Sequence, residues 1–302
     1  MSTPRVSVVL PTHNRVATLA RSIDSVLSQS FADFELLVVD DASTDGTVEL
    51  LRSYSDERLV GVDRPARGGG GAARNSGILR AKADWIAFQD SDDAWLPEKL
   101  ARQVELAESV GKNVAFIYTG LVRRGPAGEE TLPQGRVFPE GPVFERLVVR
   151  NFVSTQTALV RRSALERVHG FDETLPRLQD WDLFLRLARH DEARAVKDTL
   201  VDAFVQKDSI TADDSAYFVA YERILAKLGQ DRPAVSKHHL RILARAAFLS
   251  GRRRKAVEYA VRANRLGVTK TDVRLLATML TSEEAWDRAL ELISALPSPR
   301  LR

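Results

Sequence analysis

Short, continuous apolar runs alternate with helical periodicity in the first 120 residues. The apolar runs predict strands at residues 5–10, 34–39, 58–62, 85–88 and 114–118. Apolar residues that recur every three or four positions predict helices at 16–27, 47–54, 72–83 and 97–110. Continuous apolar strands separated by helices are typical of a parallel sheet covered on both faces.

Polar clusters follow three of these strands. Residues 12–14 (THN) come after the first strand, Asp40 and Asp41 after the second, and residues 90–93 (DSDD) after the fourth. Ligands of open parallel sheets bind beyond the carboxyl ends of the strands. The pattern therefore predicts a ligand site at one rim of the sheet.

The acids at 90–93 permit two interpretations. Asp90 and Asp92 lie two apart, so on an extended chain both can point to one side, where carboxylates need a positive partner. Oxygen ligands without cysteine suit Mg²⁺ or Mn²⁺, which take substrate phosphates as further ligands. Alternatively, Asp92 or Asp93 caps the helix that Pro97 enters.

Other candidates have both chemical and structural interpretations. The run Gly68–Gly71 is a phosphate cradle or a loop with a helix cap, and it matches neither the dinucleotide nor the P-loop spacing. Arg74, in the following helix, is the better candidate for an anionic ligand. Asp180 and Asp182 open an amphipathic helix predicted at 178–189, where first-turn acids are common.

The chain after residue 211 differs in composition and charge. Residues 221–302 carry 17 Lys/Arg against 8 Asp/Glu, whereas residues 1–220 carry 27 against 33. Helical hairpins are predicted at 240–263 and 272–295, and a loop or hairpin at 123–142. We expect two domains, 1–211 and 212–302. The basic helices suit anionic lipid headgroups, and nucleic acid is not expected because aromatic residues are few.

Composition excludes several classes of protein. The chain contains no cysteine, so it forms neither a disulfide framework nor a thiolate metal site. Residues 1–5 do not read as a secretory signal, and no run of about 18 apolar residues occurs. These features lead us to expect a cytoplasmic protein, with peripheral contact at the inner face of the membrane.

Six segments together resemble glycosyltransferase family 2, the nucleotide-sugar transferases with a GT-A fold. The matching segments are 6–15 (VSVVLPTHNR), 34–47 (FELLVVDDASTDGT), 73–77 (ARNSG), 90–93 (DSDD), 170–173 (GFDE) and 179–183 (QDWDL). The resemblance implies an α/β GT-A (Rossmann-like) fold. This fold has a mixed, mostly parallel sheet flanked by helices, here followed by an all-helical C-terminal extension.

The resemblance also implies an activity. It is inverting, Mg²⁺- or Mn²⁺-dependent transfer from a nucleoside-diphosphate sugar, with a UDP-sugar favoured, to a hydroxyl of a glycan or lipid-linked acceptor. Surface polysaccharide or glycan biosynthesis is the expected setting. The competing hypothesis is a catalytically silent nucleotide-sugar-binding module whose helical tail mediates protein or membrane-surface interaction.

The resemblance implies a role for each matching residue. Asp41 contacts the base edge, and Asp90 the ribose or sugar. The chemistry of the reaction, which needs charge neutralised on the diphosphate leaving group, gives that role to Arg74 beside the cation. Asp92 binds the metal, and Asp180 is the general base. The residues expected to border the nucleoside, with His13 beside the base, are Pro11, Thr12, His13, Asn14 and Arg15.

Two positions depart from the family pattern. Gln179 stands where many relatives have Glu, so the carboxylate that partners Asp180 in those relatives is replaced by an amide. Lys207 stands where many relatives have His. Because lysine cannot serve as a neutral imidazole ligand, metal or diphosphate contacts are not assigned to that segment. We expect Asp93 to cap the helix that Pro97 enters.

Overall fold

The structure is a computed structural model that describes residues 3–126, 128–205, 213–229 and 237–265. The chain divides into two compact units. The larger contains residues 1–174 and 179–209, and the smaller contains residues 175–178 and the chain after residue 209. Each unit is described by itself.

Within the described residues, nine strands form one sheet. They are β1 (Val6–Thr12), β2 (Phe34–Asp40), β3 (Leu59–Asp63), β4 (Trp85–Phe88), β5 (Ala94–Trp95), β6 (Val114–Gly125), β7 (Gly128–Leu132), β8 (Ala158–Arg161) and β9 (Glu192–Phe204). The helices of the larger unit are α1 (Val16–Leu27), α2 (Thr47–Arg52), α3 (Gly69–Arg80), α4 (Lys99–Ser109), α5 (Phe144–Val149), α6 (Arg162–Arg167) and α7 (Gln179–Ala188).

The first half of the sheet is parallel. Its order is β3-β2-β1-β4, with every residue of β1 and β2 buried. Continuous burial explains why these strands read as unbroken apolar runs, since neither face meets water. Leu19, Ile23 and Val26 of α1 belong to the same apolar core as β1 and β2.

The second half is mixed. β8 runs antiparallel to both β4 and β6, while β6 pairs with β9 in parallel and with β7 in a hairpin. The alternatives predicted for 123–142 resolve into this hairpin, followed by a 3₁₀ turn at Gln134–Arg136. The sequence pattern did not predict β8, which has only four residues, or β9, where charged residues interrupt the apolar ones.

The smaller unit is helical where it is described. α8 (Asp214–Leu228), α9 (Lys237–Leu249) and α10 (Arg253–Arg265) pack around buried apolar side chains, among them Phe218, Leu243 and Ala260. The Asp213 side chain caps α8 by accepting the backbone N–H of Ser215 at 2.8 Å and of Ala216 at 3.0 Å. Among the described residues, no helix combines the length and apolarity that crossing a membrane requires.

The predicted fold class is confirmed: a mixed sheet flanked by helices, with a helical C-terminal region. The predicted strand at 85–88 has the observed bounds, and α3 begins three residues earlier than predicted because the glycine run enters it. The domain boundary at 211/212 and the hairpin at 272–295 lie outside the described residues and stay predictions.

Candidate active site

Strand pairing brings the three polar clusters to one rim. β1 lies between β2 and β4, with Thr12 opposite Asp40 and Val9 opposite Phe88. Beyond the paired residues, the backbone N–H of Asp41 donates to the Thr12 carbonyl at 2.8 Å, and that of Gln89 donates to Val9 at 3.0 Å. The expected meeting of strand ends is therefore observed.

The segment expected to border the nucleoside is held by the loop after β2. His13 Nδ1 lies 2.9 Å from the Asp41 carbonyl oxygen, an acceptor, so this nitrogen carries the proton. Asn14 accepts the backbone N–H of Thr44 at 2.7 Å and donates its own to Ser43 Oγ at 2.9 Å. Pro11 and Thr12 end β1, and the backbone N–H of Arg15 donates to Thr47 Oγ1 at 3.1 Å.

The Asp41 carboxylate is occupied by donors of the protein. It accepts the backbone N–H of Gly68 at 2.9 Å and of Gly69 at 2.7 Å, and Arg64 Nε lies 2.9 Å from it. Gly69 has a φ of +84°, a conformation that glycine adopts without steric cost. These contacts favour the loop-and-cap interpretation of the glycine run over a phosphate cradle. The base contact of Asp41 stays a prediction.

Residues 90–93 form a turn, so the extended geometry assumed for Asp90 and Asp92 is wrong. The backbone N–H of Asp93 donates to the Asp90 carbonyl at 3.3 Å. The turn is followed at once by β5, which begins at Ala94.

The expectation that Asp93 or Asp92 caps α4 is also wrong. α4 begins at Lys99, its N-cap is Glu98, and no side chain caps it. Asp93 is buried and accepts the backbone N–H of Phe204 at 3.0 Å and the Gln156 amide at 2.9 Å. It joins the turn to β9 and to the segment before β8, because β5 separates it from α4.

Negative charge accumulates in this turn. Asp90 pairs with Arg74, with Nη2 and Oδ1 2.6 Å apart. Burial, aided by the charge of Asp90, raises the pKa of Asp92, and the charges of Arg15 and Arg21 do not offset this. Burial and the charges of both neighbouring acids raise the pKa of Asp93 well above its usual range. The protein thus leaves part of this charge uncompensated.

The residues of the turn fit a hard divalent cation that a ligand completes. No group of three or more Asp, Glu or His among the described residues has the arrangement of a metal centre. Mg²⁺ and ions like it are commonly held by one or two carboxylates together with substrate phosphates. Asp92, a carboxylate whose ionised form is disfavoured by its surroundings, suits that use.

Asp180 lies in the first turn of α7, and each of its carboxylate oxygens accepts a hydrogen bond. Oδ1 accepts the backbone N–H of Trp181 at 2.8 Å, and Oδ2 accepts Nδ2 of Asn151 at 3.0 Å. Burial raises the pKa of Asp180 despite these two bonds; Arg74 opposes the rise and Asp90 adds to it. Because both Arg74 and Asp90 act on Asp180, the base candidate belongs to the same site.

Asp182, by contrast, serves the helix. Its buried carboxylate pairs with Arg186 one turn later, at 2.8 Å, and Arg186 also donates to the Val168 carbonyl. The first-turn interpretation is thus appropriate for Asp182.

The start of α7 lies against the start of α3. A Cβ added to Gly71 would lie 3.1 Å from Nε2 of Gln179, so the glycine leaves room for this amide. Next to Arg74, Asn75 holds the turn at 170–173, donating to the Phe171 carbonyl at 2.9 Å and accepting its N–H at 2.8 Å. Lys207 lies outside the described residues.

The sequence pattern does not mark three residues that contact the acids of the site: Asn151, Gln156 and Phe204. Asn151 is a single amide in an irregular segment after α5, and no spacing signal marks it. Phe204 contributes through its backbone N–H, which side-chain patterns do not report.

A match to a family model shows which family the chain belongs to. The model for glycosyl transferase family 2 matches residues 7–168, more than half of the chain. The chain belongs to glycosyltransferase family 2. The matched range includes all the predicted site residues except Asp180.

Curated glycosyltransferases are similar to the chain over much of their length. TuaG of Bacillus subtilis, whose name places it in teichuronic acid biosynthesis, is 40% identical over 161 residues, 53% of this chain and 63% of TuaG. WfgD of Escherichia coli, named a UDP-Glc:α-D-GlcNAc-diphosphoundecaprenol β-1,3-glucosyltransferase, is 38% identical over 191 residues. That match covers 63% of this chain and 72% of WfgD. The chain thus spans about two thirds of these relatives.

Two solved glycosyltransferase structures share the fold. Staphylococcus aureus TarS 1–349 in complex with UDP-GlcNAc superposes with a TM-score of 0.68 at 19% identity, covering 96% of this chain and 91% of that one. The mannosyltransferase PcManGT of Pyrobaculum calidifontis, with GDP-Man and Mn²⁺, gives 0.61 at 21% identity, covering 96% and 84%.

Proposed function

We propose that this family 2 protein is an inverting, metal-dependent glycosyltransferase that uses a nucleoside-diphosphate sugar, preferably a UDP-sugar. The observation that carries the proposal is the shared electrostatic environment of four groups: Asp92, the Arg74–Asp90 pair and Asp180. Sugar transfer from a diphosphate donor needs a carboxylate for a cation, a fixed positive charge and a separate base.

The rim beyond β1 and β2 is the donor side. Residues Pro11–Arg15, at and just after the end of β1, border the nucleoside. Asp41 faces the base edge while it orders the glycine loop. Asp90 contacts the ribose or sugar through the position that Arg74 gives it.

Asp92 is the residue that would hold Mg²⁺ or Mn²⁺. When bound, the cation neutralises charge on the leaving nucleoside diphosphate. Arg74 adds a positive charge that does not depend on the cation. PcManGT, a structural neighbour, is described with Mn²⁺, which supports the choice of ion.

Asp180 accepts the proton of the acceptor hydroxyl. The oxygen of that hydroxyl forms a bond to the anomeric carbon while the bond from this carbon to the diphosphate oxygen breaks. The nucleoside diphosphate leaves with the bonding electron pair, and the proton stays on Asp180. One attack opposite the leaving group inverts the anomeric centre, as in inverting glycoside hydrolysis.

The acceptor is a glycan or a lipid-linked saccharide of a surface polysaccharide. The names of WfgD and TuaG support this class of acceptor and pathway. The proposal treats residues 1–211 as the catalytic domain and 212–302 as a helical domain. The exposed Arg253 and Arg254 of that domain suit peripheral contact with an anionic membrane.

The test is transfer by the purified chain from UDP-, GDP- and dTDP-sugars with Mg²⁺ or Mn²⁺, measured as nucleoside diphosphate released in the presence of saccharide acceptors. We expect turnover with a UDP-sugar, loss of turnover in EDTA, and an inverted product by NMR. Asp180→Asn should lower kcat about a thousandfold with donor affinity retained, since it removes only the base.

Asp84→Asn, a change of the same kind on an exposed surface, is the matched control and should leave kcat unchanged. Full activity of Asp180→Asn would remove the assignment of the base. Metal-dependent donor binding without transfer or hydrolysis would instead favour the silent binding module.

A further inference from the structure

Asn151 makes a bond to the base candidate that the six family segments do not include. It lies two residues after α5, and its Nδ2 donates to Oδ2 of Asp180 at 3.0 Å across 29 positions of sequence. The other oxygen of Asp180 accepts the backbone N–H of Trp181 at 2.8 Å. Each carboxylate oxygen therefore has one donor and keeps a lone pair for a substrate proton.

The direction of this hydrogen bond is fixed by a second contact. The backbone N–H of Val153 donates to Oδ1 of Asn151 at 3.2 Å, so this side of the amide must be its oxygen. The NH₂ group is then forced to face Asp180. An amide in this orientation only donates to the carboxylate, which favours the ionised form over the protonated one.

The surroundings of Asp180 make this donor important. Burial disfavours the charged carboxylate and raises the pKa of Asp180, whereas the two hydrogen bonds lower it. Two charged groups also act on it: Arg74 of α3 favours ionisation, and Asp90 of the turn after β4 opposes it. Because Arg74 is paired with Asp90, their effects on Asp180 partly cancel. Asn151 therefore stabilises the ionised form of Asp180 locally, and this ion pair does not replace that effect.

We propose that Asn151 is a positioning residue that orients the Asp180 carboxylate and keeps it in the proton-accepting form during sugar transfer. The inference rests on the proposed function, since it needs Asp180 to act as the base. Asn151 touches neither reacting atom and works through Asp180.

The decisive variant is Asn151→Asp. It is nearly isosteric and keeps an oxygen for the Val153 N–H, so the local fold retains that bond. It replaces the donor toward Asp180 by a carboxylate oxygen, which reverses the electrostatic effect. Asn151→Ala removes both bonds. Asn113→Asp, at an exposed position before β6, is the matched control for the same change in charge.

The measurement is the single-turnover rate of sugar transfer between pH 5 and pH 9, with saturating UDP-sugar, Mn²⁺ and acceptor. The rate falls at low pH as Asp180 becomes protonated. We expect this fall to move to higher pH in Asn151→Asp and, by less, in Asn151→Ala. We compare the rate at pH 6 with the plateau rate of the same protein. This ratio should be about tenfold lower for Asn151→Asp than for the wild type. Asn113→Asp should follow the wild-type profile.

Two results overturn the inference in distinguishable ways. A wild-type pH profile in Asn151→Asp, with Asp180→Asn inactive, leaves the proposed function intact and reduces Asn151 to a loop-holding residue. If the wild type transfers no sugar, or Asp180→Asn transfers at the wild-type rate, the proposed function itself fails and Asn151 has no base to position.

Discussion

The carboxyl ends of β2 and β4 flank the same strand, yet the acids that follow them have different surroundings. At the end of β2, Asp41 has a buried carboxylate that accepts two backbone N–H groups and lies against Arg64. At the end of β4, Asp92 has a pKa raised by burial and by Asp90, with only partial compensation from Arg15 and Arg21. The protein compensates the charge of Asp41 and leaves part of the charge of Asp92 uncompensated.

The difference separates architecture from chemistry at a single rim. A carboxylate that accepts several donors of the chain stabilises the fold and orders a loop. One that remains desolvated and incompletely compensated costs stability in the free protein and gains from a bound cation. We infer that the free energy of folding depends on the β2 end and catalysis on the β4 end.

The largest expected effect is on activity at the β4 end. Asp92→Asn should lower kcat/KM for sugar transfer by about a thousandfold, because the cation that neutralises the leaving group loses its protein ligand. The free energy of unfolding, measured in urea, should stay level or rise, since the removed charge is disfavoured. Comparable activity with undiminished Mn²⁺ dependence would show that Asp92 is not the ligand.

The next effect is on stability at the β2 end. Asp41→Asn should lower the free energy of unfolding by about 3 kcal/mol, because an amide nitrogen would face the backbone donors and Arg64 would lose its partner. Denaturation in urea measures it, with Asp92→Asn as the matched control. Equal stabilities of the two variants would erase the distinction between the two strand ends.

The smallest effect comes from Asp45, in the loop after β2. Partial burial opposes its ionisation, but hydrogen bonds from Thr47 and Val16 outweigh it and lower the pKa of Asp45. A depressed pKa stabilises the folded state above the unfolded value of 3.8, and this contribution disappears as the pH falls through the depressed value.

Asp45→Asn should therefore lower the free energy of unfolding by about 0.3 kcal/mol at pH 7, because solvent screens this carboxylate, and by progressively less below pH 3.8, as followed by urea denaturation at each pH. The difference in the free energy of unfolding between Asp45→Asn and the wild type could instead stay constant down to pH 2. In that case the hydrogen-bond geometry of Asp45, and not its charge, stabilises the fold.

The parallel half of the fold was accessible from the sequence, whereas of the strands in the mixed half only the first part of β6 was. β1, β2 and β4 are buried on both faces, so their apolar runs mark them without reference to neighbours. β9 carries charged residues between apolar ones, and its place in the sheet depends on pairing with β6. Such pairing joins positions far apart in the chain and leaves no local period.

The sequence by itself determined which strand ends carry acids, that their meeting point is a ligand site, and the family that their motifs resemble. Only the tertiary structure decided what each acid does. Asp41 accepts hydrogen bonds from Gly68 and Gly69, Asp93 is held by Phe204, and Asp180 is oriented by Asn151. These donors lie 27 or more positions away along the chain, two of the three pairs use backbone N–H groups, and burial sets their strength. A residue type and its spacing cannot encode any of these.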